Sequence, residues 1–339
     1  MNIIHILPEF DEGGVERHVL WLANELSVLG HNVTVVSAGG KLEACLKGVK
    51  VVHLPVHRKN PLTVLYSAAQ IARIVKKENA EILHAHSRVP AWIAWWASRL
   101  SGIPFVLTAH DVYRLNRALV PFSRTDCVIC VSETVRSHLL SLIRGPSRTI
   151  LNGLQHLDIS WEKKECSEEV VRFLFVGRLT KRKGLHIVLE ALGEFSRNDW
   201  ILDVVGDGPQ RAELEEQAQR LSLTDKVFFH GFQDNPDVWM SKCSCFLFPS
   251  LEEGMGLTLM RAIQMGVPII ASDLPPVREL VLSGNGLVPP GDVFLWSQAI
   301  IGMLDSGKTQ TEFDGGRIPD IRTMTEKIVE VYEFILGQR

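Results

Sequence analysis

The chain has 339 residues, 46% of them hydrophobic and 22% charged, with no repeat at solenoid periods and no low-complexity tract. That composition excludes a disordered or fibrous protein, and the length suits two domains of roughly 150 residues each. Net charge is −3, yet residues 1–160 carry 17 Lys and Arg against 12 Asp and Glu, and the remainder 19 against 27. A basic first half suits an anionic acceptor or a membrane surface, and equally a plain solvated face.

No apolar run approaches the ~18 residues needed to cross a bilayer. The opening MNIIHILPEF lacks a basic segment and soon meets Glu9, Asp11 and Glu12, so it does not read as a signal peptide. Six cysteines are present. Cys127 and Cys130 fall three apart in CVICVS, which reads as a strand, so they face opposite sides and cannot chelate one ion; Cys243 and Cys245 share a face but offer only two ligands. Buried free thiols in a reducing cytoplasm are the expectation.

Along the chain, NIIHILP, NVTVVSA, KVVHLP, EILHAH, PFVLTAH and CVICVS read as strands, with helices expected at 14–29, 62–78, 89–101 and 133–143. The alternation predicts a parallel sheet with helices on both faces. In the third helix, Trp92, Trp95 and Trp96 are spaced i, i+3, i+4, which reads as a core stripe; contact with a membrane is the rival. The polar QHLDISWEKKECSEE breaks the pattern, placing a hinge near 155–168. The alternation then restarts with VRFLFVG, WILDVVG, KVFFHG, CFLFPS and VPIIAS, and helices near 185–196, 209–222 and 257–265. A last helix is expected over 320–337. The domains expected are 1–158, 165–319 and a terminal helix over 320–339.

Doubly wound halves bind ligands beyond the carboxyl ends of their strands. After the first strand, Gly13-Gly14-Val15-Glu16 opens a helix, letting backbone approach a ligand and presenting a helix N-terminus to an anion; a tight turn without a ligand would look the same. His84 and His86 share a face at one strand end and His110 closes the next. Gly177-Arg178-Leu179 and then Lys181, Arg182 and Lys183 place four cations in six positions before a helix, a candidate phosphate receptor. Gly206-Asp207-Gly208-Pro209 is a second strand-end turn that lacks the third glycine of a dinucleotide fingerprint. In Pro249-Ser250-Leu251-Glu252-Glu253-Gly254-Met255-Gly256-Leu257, a carboxylate precedes a glycine turn and a helix. Glu253 can accept sugar hydroxyls while backbone amides hold a diphosphate.

Taken in order, GGVE (13–16), TAHD (108–111), VSE (131–133), LNG (151–153), GRLTKRKG (177–184), GDGP (206–209), PSLEEGMGL (249–257), GVPIIASD (266–273) and NGLVPPGD (285–292) resemble the retaining glycosyltransferases of family 4, which have the GT-B fold. The resemblance spans nearly the whole chain. It implies an α/β protein of two Rossmann-like domains with parallel sheets facing a cleft, the first for the acceptor and the second for a nucleotide sugar. The last helix would cross back to the first domain.

By position, Arg178 and Lys183 look like the pair that grips the donor diphosphate, Glu253 like the carboxylate that contacts the donor sugar, and His110 like the histidine near the sugar's reactive end. Gly14, Gly177, Gly254, Met255, Gly256 and Leu257 would border the donor, and Gly231-Phe232 the base. Glu16, His84 and His86 are the acceptor-side candidates. The resemblance implies no metal and no cofactor beyond the nucleoside-diphosphate sugar, which is the donor substrate. It also implies no nucleic acid, a cytoplasmic location with peripheral contact at the inner face of the membrane, and an acceptor that is a glycan or lipid-linked saccharide of the cell envelope.

One departure is serious. The family's second glutamate, eight positions after the first, receives ribose hydroxyls; here that position is Arg261, a donor-side candidate that only donates, to ribose oxygens or the diphosphate, or else pairs with a nearby carboxylate. Gln155 and Pro275-Pro276 are milder variations. A degenerate, non-catalytic glycan- or nucleotide-binding subunit and a sugar-nucleotide epimerase remain alternatives to the transferase.

Overall fold

The computed structural model describes residues 1–156 and 170–338. Most of the expected hinge, 157–168, lies outside the described residues. The chain divides into two compact units: Met1–Gln155 with Pro319–Arg339, and His156–Ile318.

Unit 1 is built on seven strands: β1 (Asn2–Ile6), β2 (Asn32–Ser37), β3 (Lys50–His53), β4 (Ile82–His86), β5 (Phe105–Ala109), β6 (Cys127–Cys130) and β7 (Ser147–Thr149). All pair in parallel, in the order β3-β2-β1-β4-β5-β6-β7. Helices α1 (Gly14–Val28), α2 (Pro61–Glu78), α3 (Arg88–Ser101) and α4 (Glu133–Leu139) connect them. The strands are near-continuous apolar runs because both faces are covered. Strand order reverses between β1 and β4, whose register sets His5 beside His84.

Unit 2 carries β8 (Val171–Val176), β9 (Trp200–Val205), β10 (Val227–Gly231), β11 (Cys245–Phe248) and β12 (Ile269–Ala271). These too are parallel, in the order β10-β9-β8-β11-β12. Its helices are α5 (Leu185–Gly193), α6 (Arg211–Arg220), α7 (Asp237–Met240), α8 (Leu257–Met265), α9 (Pro275–Arg278) and α10 (Val293–Ser306). A hairpin of β13 (Val281–Gly284) and β14 (Thr311–Phe313) adds an antiparallel pair. The sequence patterning picks out neither this hairpin nor α10.

The terminal helix α11 (Ile321–Gly337) belongs to unit 1. Asp320 caps it, accepting from the Thr323 amide, and its apolar stripe of Met324, Ile328, Tyr332 and Ile335 joins the core formed by Ile3, Leu7, Val19, Leu22 and Ile82. Gly153 makes the approach possible, since a β-carbon there would lie 2.5 Å from the Asp320 carbonyl oxygen.

The tryptophans of α3 do not form its core stripe. The buried positions are Pro90, Ala91, Ile93, Ala94 and Ala97, and α3 packs on α2, β4 and β5, while Trp92 and Trp95 stay half-buried and Trp96 is exposed. Small alanines let two helices approach closely, which displaces the bulky rings to the flank. The Trp92 indole donates to the Ala118 carbonyl at 2.9 Å.

Candidate active site

In unit 2 the strand ends are tied together by short loops. Leu251 N donates to the Arg182 carbonyl at 2.7 Å, joining the loop after β8 to the loop after β11. Gly184 closes the same junction: its φ is +70° and a β-carbon would fall 1.9 Å from the Pro249 carbonyl oxygen, so only glycine fits. The result brings Lys183 and Glu253 into an ion pair, with the Ser250 hydroxyl donating to the same carboxylate oxygen at 3.0 Å. Lys183 and Glu253 are seventy residues apart, so their joining is a product of the strand order. Beside them Arg182 and Glu252 pair at 3.3 Å. Arg178 is exposed. It makes no side-chain hydrogen bond or ion pair among the described residues, leaving its guanidinium free to receive an anion.

Helix α8 begins at Leu257 with no side-chain cap, and its cap residue Gly256 has φ +91°. The first-turn amides of such a helix form a site that favours negative charge. Gly254 and Met255 are buried and serve to shape the turn. Gly177 stands where its amide donates to the Val205 carbonyl at 3.0 Å, and Gly206 N donates to the Gly231 carbonyl at 2.8 Å. The ends of β8, β9 and β10 therefore lie side by side, with Phe232 following half-buried.

Arg261 is already engaged. Its Nε donates to both Asp237 oxygens at 3.0 Å, its Nη2 pairs with the same carboxylate, and its Nη1 donates to Gln264 Oε1 at 2.7 Å. Of the roles open to this arginine, pairing with a nearby carboxylate is the one realised. Sequence reasoning missed Asp237, whose signal was faint: an acid opening a four-residue helix.

In unit 1, Gly14 begins α1 without a side-chain cap, and the Glu16 side chain folds back so that a β-carbon on Gly13 would sit 2.1 Å from its Oε2. A carboxylate over a helix N-terminus is favourable. His84, His86 and His110 come together, and two histidines that sequence reasoning passed over join them: His5 from β1 and His18 from α1. His5 hides inside an apolar strand and His18 on the inward face of a helix; knowing that β1 neighbours β4 is what reveals them. His5 Nδ1 and His86 Nε2 are 3.0 Å apart, and His86 Nδ1 and His110 Nε2 3.2 Å.

His84 departs from the acceptor-side expectation. It is wholly buried, with Nδ1 on the Tyr332 hydroxyl at 2.5 Å and Nε2 on the Thr108 hydroxyl at 2.7 Å. With both nitrogens used, it anchors α11 and has no atom left for a substrate. Burial pushes His5 down to about 3 and His18 to about 4. Burial, then neighbouring imidazoles, holds His84, His86 and His110 well below the ordinary value. The cluster is therefore neutral at pH 7 and offers donors and acceptors without charge. Cys127 and Cys130 are buried, their thiols raised by that burial to about 11 and about 12, which suits inert core residues.

Both units match known family models. Residues 12–156 match the model of Glycosyltransferase Family 4, and residues 159–315 match that of Glycosyl transferases group 1. The phosphatidylinositol N-acetylglucosaminyltransferase gpi3 subunit of Schizosaccharomyces pombe is 27% identical over 297 residues, covering 80% of this chain and 65% of that protein. The chain thus spans just under two thirds of that relative's length. The O-antigen biosynthesis glycosyltransferase WclY of Escherichia coli is 28% identical over 162 residues, 46% of this chain and 45% of its own. Among solved structures, Anabaena HepE in complex with UDP and glucose superimposes with a TM-score of 0.82 at 21% identity, covering 98% of this chain and 99% of that one. The two family models together account for nearly all of the chain, and it belongs to the family 4, group 1 glycosyltransferases of the GT-B fold.

Proposed function

We propose that the protein transfers a sugar, with retention, from a nucleoside-diphosphate sugar to a hydroxyl of a glycan or lipid-linked saccharide in cell-envelope polysaccharide or lipopolysaccharide synthesis. The observation that carries this reading is the Lys183–Glu253 pair at the strand ends of unit 2, next to the uncapped start of α8 and the free Arg178. Arg178, Lys183 and the α8 amides would hold the diphosphate and stabilise the charge it gains as it departs. Glu253, an acceptor of hydrogen bonds, would receive sugar hydroxyls. His110, neutral in its cluster, would contact the sugar near its reactive end. Gly231 and Phe232 would border the base. Glu16 would stand toward the acceptor, while His86, wholly buried with its nitrogens on His5 and His110, would act only by orienting His110.

A nucleotide sugar as donor is also supported by HepE, whose structure holds UDP and glucose. An envelope acceptor is supported by WclY, a protein of O-antigen biosynthesis. No helix among the described residues is long and apolar enough to cross a membrane. Peripheral contact at the inner face of the membrane would use α2 and α3, which pack together and expose Leu62, Leu65 and Tyr66, and Trp96 and Leu100. The exposed basic residues Lys59, Arg73 and Arg99 lie on or beside these helices, a mixture that favours an anionic interface.

Incubating the full chain with UDP-, GDP- and ADP-sugars and membrane-derived acceptors is the test. One donor should give transfer, or slow hydrolysis without acceptor. Glu253→Gln should weaken sugar-nucleotide binding more than binding of the free diphosphate. Binding without turnover for every donor would leave a binding subunit, and interconversion of the sugar would leave an epimerase.

A further inference from the structure

The histidine cluster of unit 1 exceeds what the transfer reaction asks of it. His86 ends β4, His110 follows β5 on the next strand, and His18 enters from the second turn of α1. One nitrogen from each lies within 4.8 Å of one from each of the others. Two ligands on a tetrahedral zinc-class ion, each 2.0–2.1 Å from it, stand about 3.3 Å apart. His86 Nδ1 and His110 Nε2 are 3.2 Å apart as hydrogen-bond partners, so their spacing already suits an ion and each ring need only turn until its lone pair meets the ion instead of the other ring.

His18 supplies an independent sign. It is 3% exposed, and neither ring nitrogen makes a well-formed hydrogen bond among the described residues, although the Asn152 side chain lies close enough to raise its proton affinity. A buried polar nitrogen left without a partner is costly. Turned toward His86 and His110, it becomes a third ligand. The next shell is also in place. When Nδ1 of His86 ligates, Nε2 carries the proton and donates to His5 Nδ1 at 3.0 Å, the kind of support that orients a metal-bound imidazole.

We infer that His18, His86 and His110 form a binding site for one divalent cation of the zinc class, with a fourth position left open. The inner trio of His5, His84 and His86 is a poorer candidate, since both nitrogens of His84 are taken by Tyr332 and Thr108. The site uses imidazole alone, so it selects Zn²⁺, Co²⁺ or Ni²⁺ over Mg²⁺, which prefers oxygen. The ion has no assigned part in sugar transfer. On the proposed sugar contact of His110, the ion would compete with the sugar for that ring.

Titrating tag-free, metal-free full-length protein with Co²⁺ is the experiment. The visible absorption of four- or five-coordinate Co²⁺ should appear and saturate at one equivalent. His18→Gln and His110→Gln should each abolish it, and His53→Gln, at an exposed histidine paired with Glu43, should leave it intact. Wild-type protein gives a readout free of any folding defect in the variants: Zn²⁺ should raise its Tm by a few degrees and Mg²⁺ should not. Absorption no different from hexaaqua Co²⁺, a band surviving in both ligand variants, or a Zn²⁺ shift no larger than that with Mg²⁺ would overturn the site. These readouts are occupancy and stability, so they stand or fall apart from the sugar-transfer reading.

Discussion

The two units begin from the same plan, a parallel sheet that runs outward for three strands and then returns to the other side of its first, and they place different chemistry beyond the strand ends. Unit 2 gathers charge there: Lys183 with Glu253, Arg182 with Glu252, Arg261 with Asp237, and Arg178 exposed. Unit 1 gathers five imidazoles, four buried and His110 half-buried, whose surroundings keep them neutral. An anion such as a diphosphate needs the first kind of site, where paired charges are only partly screened and can exchange partners with a ligand. Neutral rings instead distinguish hydroxyls and hold geometry. A single fold thus hosts two chemistries, set by which residue types end the strands.

The largest effect expected from breaking this contrast lies on the charged side. Arg178→Ala or Lys183→Ala should lower turnover by roughly 10²- to 10³-fold, the range for losing one donor that stabilises developing charge. Lys183→Ala also strands Glu253, whose side chain is 11% exposed, so it should cost stability as well, whereas Arg178→Ala should not. Steady-state kinetics beside thermal melts separates the two. Unchanged turnover and donor affinity in both variants would remove the phosphate assignment.

The neutral side yields a stability effect. Tyr332→Phe removes the hydroxyl that meets His84 Nδ1 and leaves a buried ring nitrogen without a partner. The expected loss is about 1–3 kcal/mol, read by denaturant titration. Adding His84→Phe together with Thr108→Val should recover part of it, because the Thr108 hydroxyl meets the other nitrogen of His84 and apolar replacement of all the partners is far less costly than removal of one. A Tyr332→Phe protein as stable as wild type would mean that the hydrogen bond does not hold α11 in place.

Much of this arrangement is legible before folding. Runs such as VRFLFVG and PFVLTAH are too short and too β-branched or aromatic to be helices, and their alternation with amphipathic segments implies parallel sheets. The glycine turns at 13–14, 206–208 and 254–256 mark strand ends. What is not legible is long-range pairing. Lys183 and Glu253 meet only because β8 and β11 are neighbours. His5 joins His84 only because β1 sits beside β4. The tryptophan stripe misleads because spacing fixes a helical face but not which face is covered; here the face of Ala91, Ala94 and Ala97 is the buried one. Helix α10 lies beyond the strand-end motifs that guide the reading and buries Trp296 and Ile300 in the unit 2 core.

Arg261 gives the smallest expected effect and the sharpest discrimination. It stands where related enzymes carry a ribose-binding glutamate, so Arg261→Glu restores the familiar residue. If the arginine marked decay of the site, that change should tighten nucleotide binding. The pairing with Asp237 argues the opposite. Both side chains are largely buried, 15% and 18% exposed, and the substitution would set two carboxylates against each other there, which disfavours both charges. Affinity for nucleoside diphosphates should therefore fall about tenfold, the equivalent of about 1.4 kcal/mol. The double variant Arg261→Glu with Asp237→Asn removes the repulsion and presents an amide instead. It should recover part of the loss if repulsion is the cause. Calorimetry across a panel of nucleoside diphosphates decides the matter: tighter binding by Arg261→Glu alone would show that the ion pair is a remnant, whereas loss in the single variant and recovery in the double would make Asp237 and Arg261 one working unit.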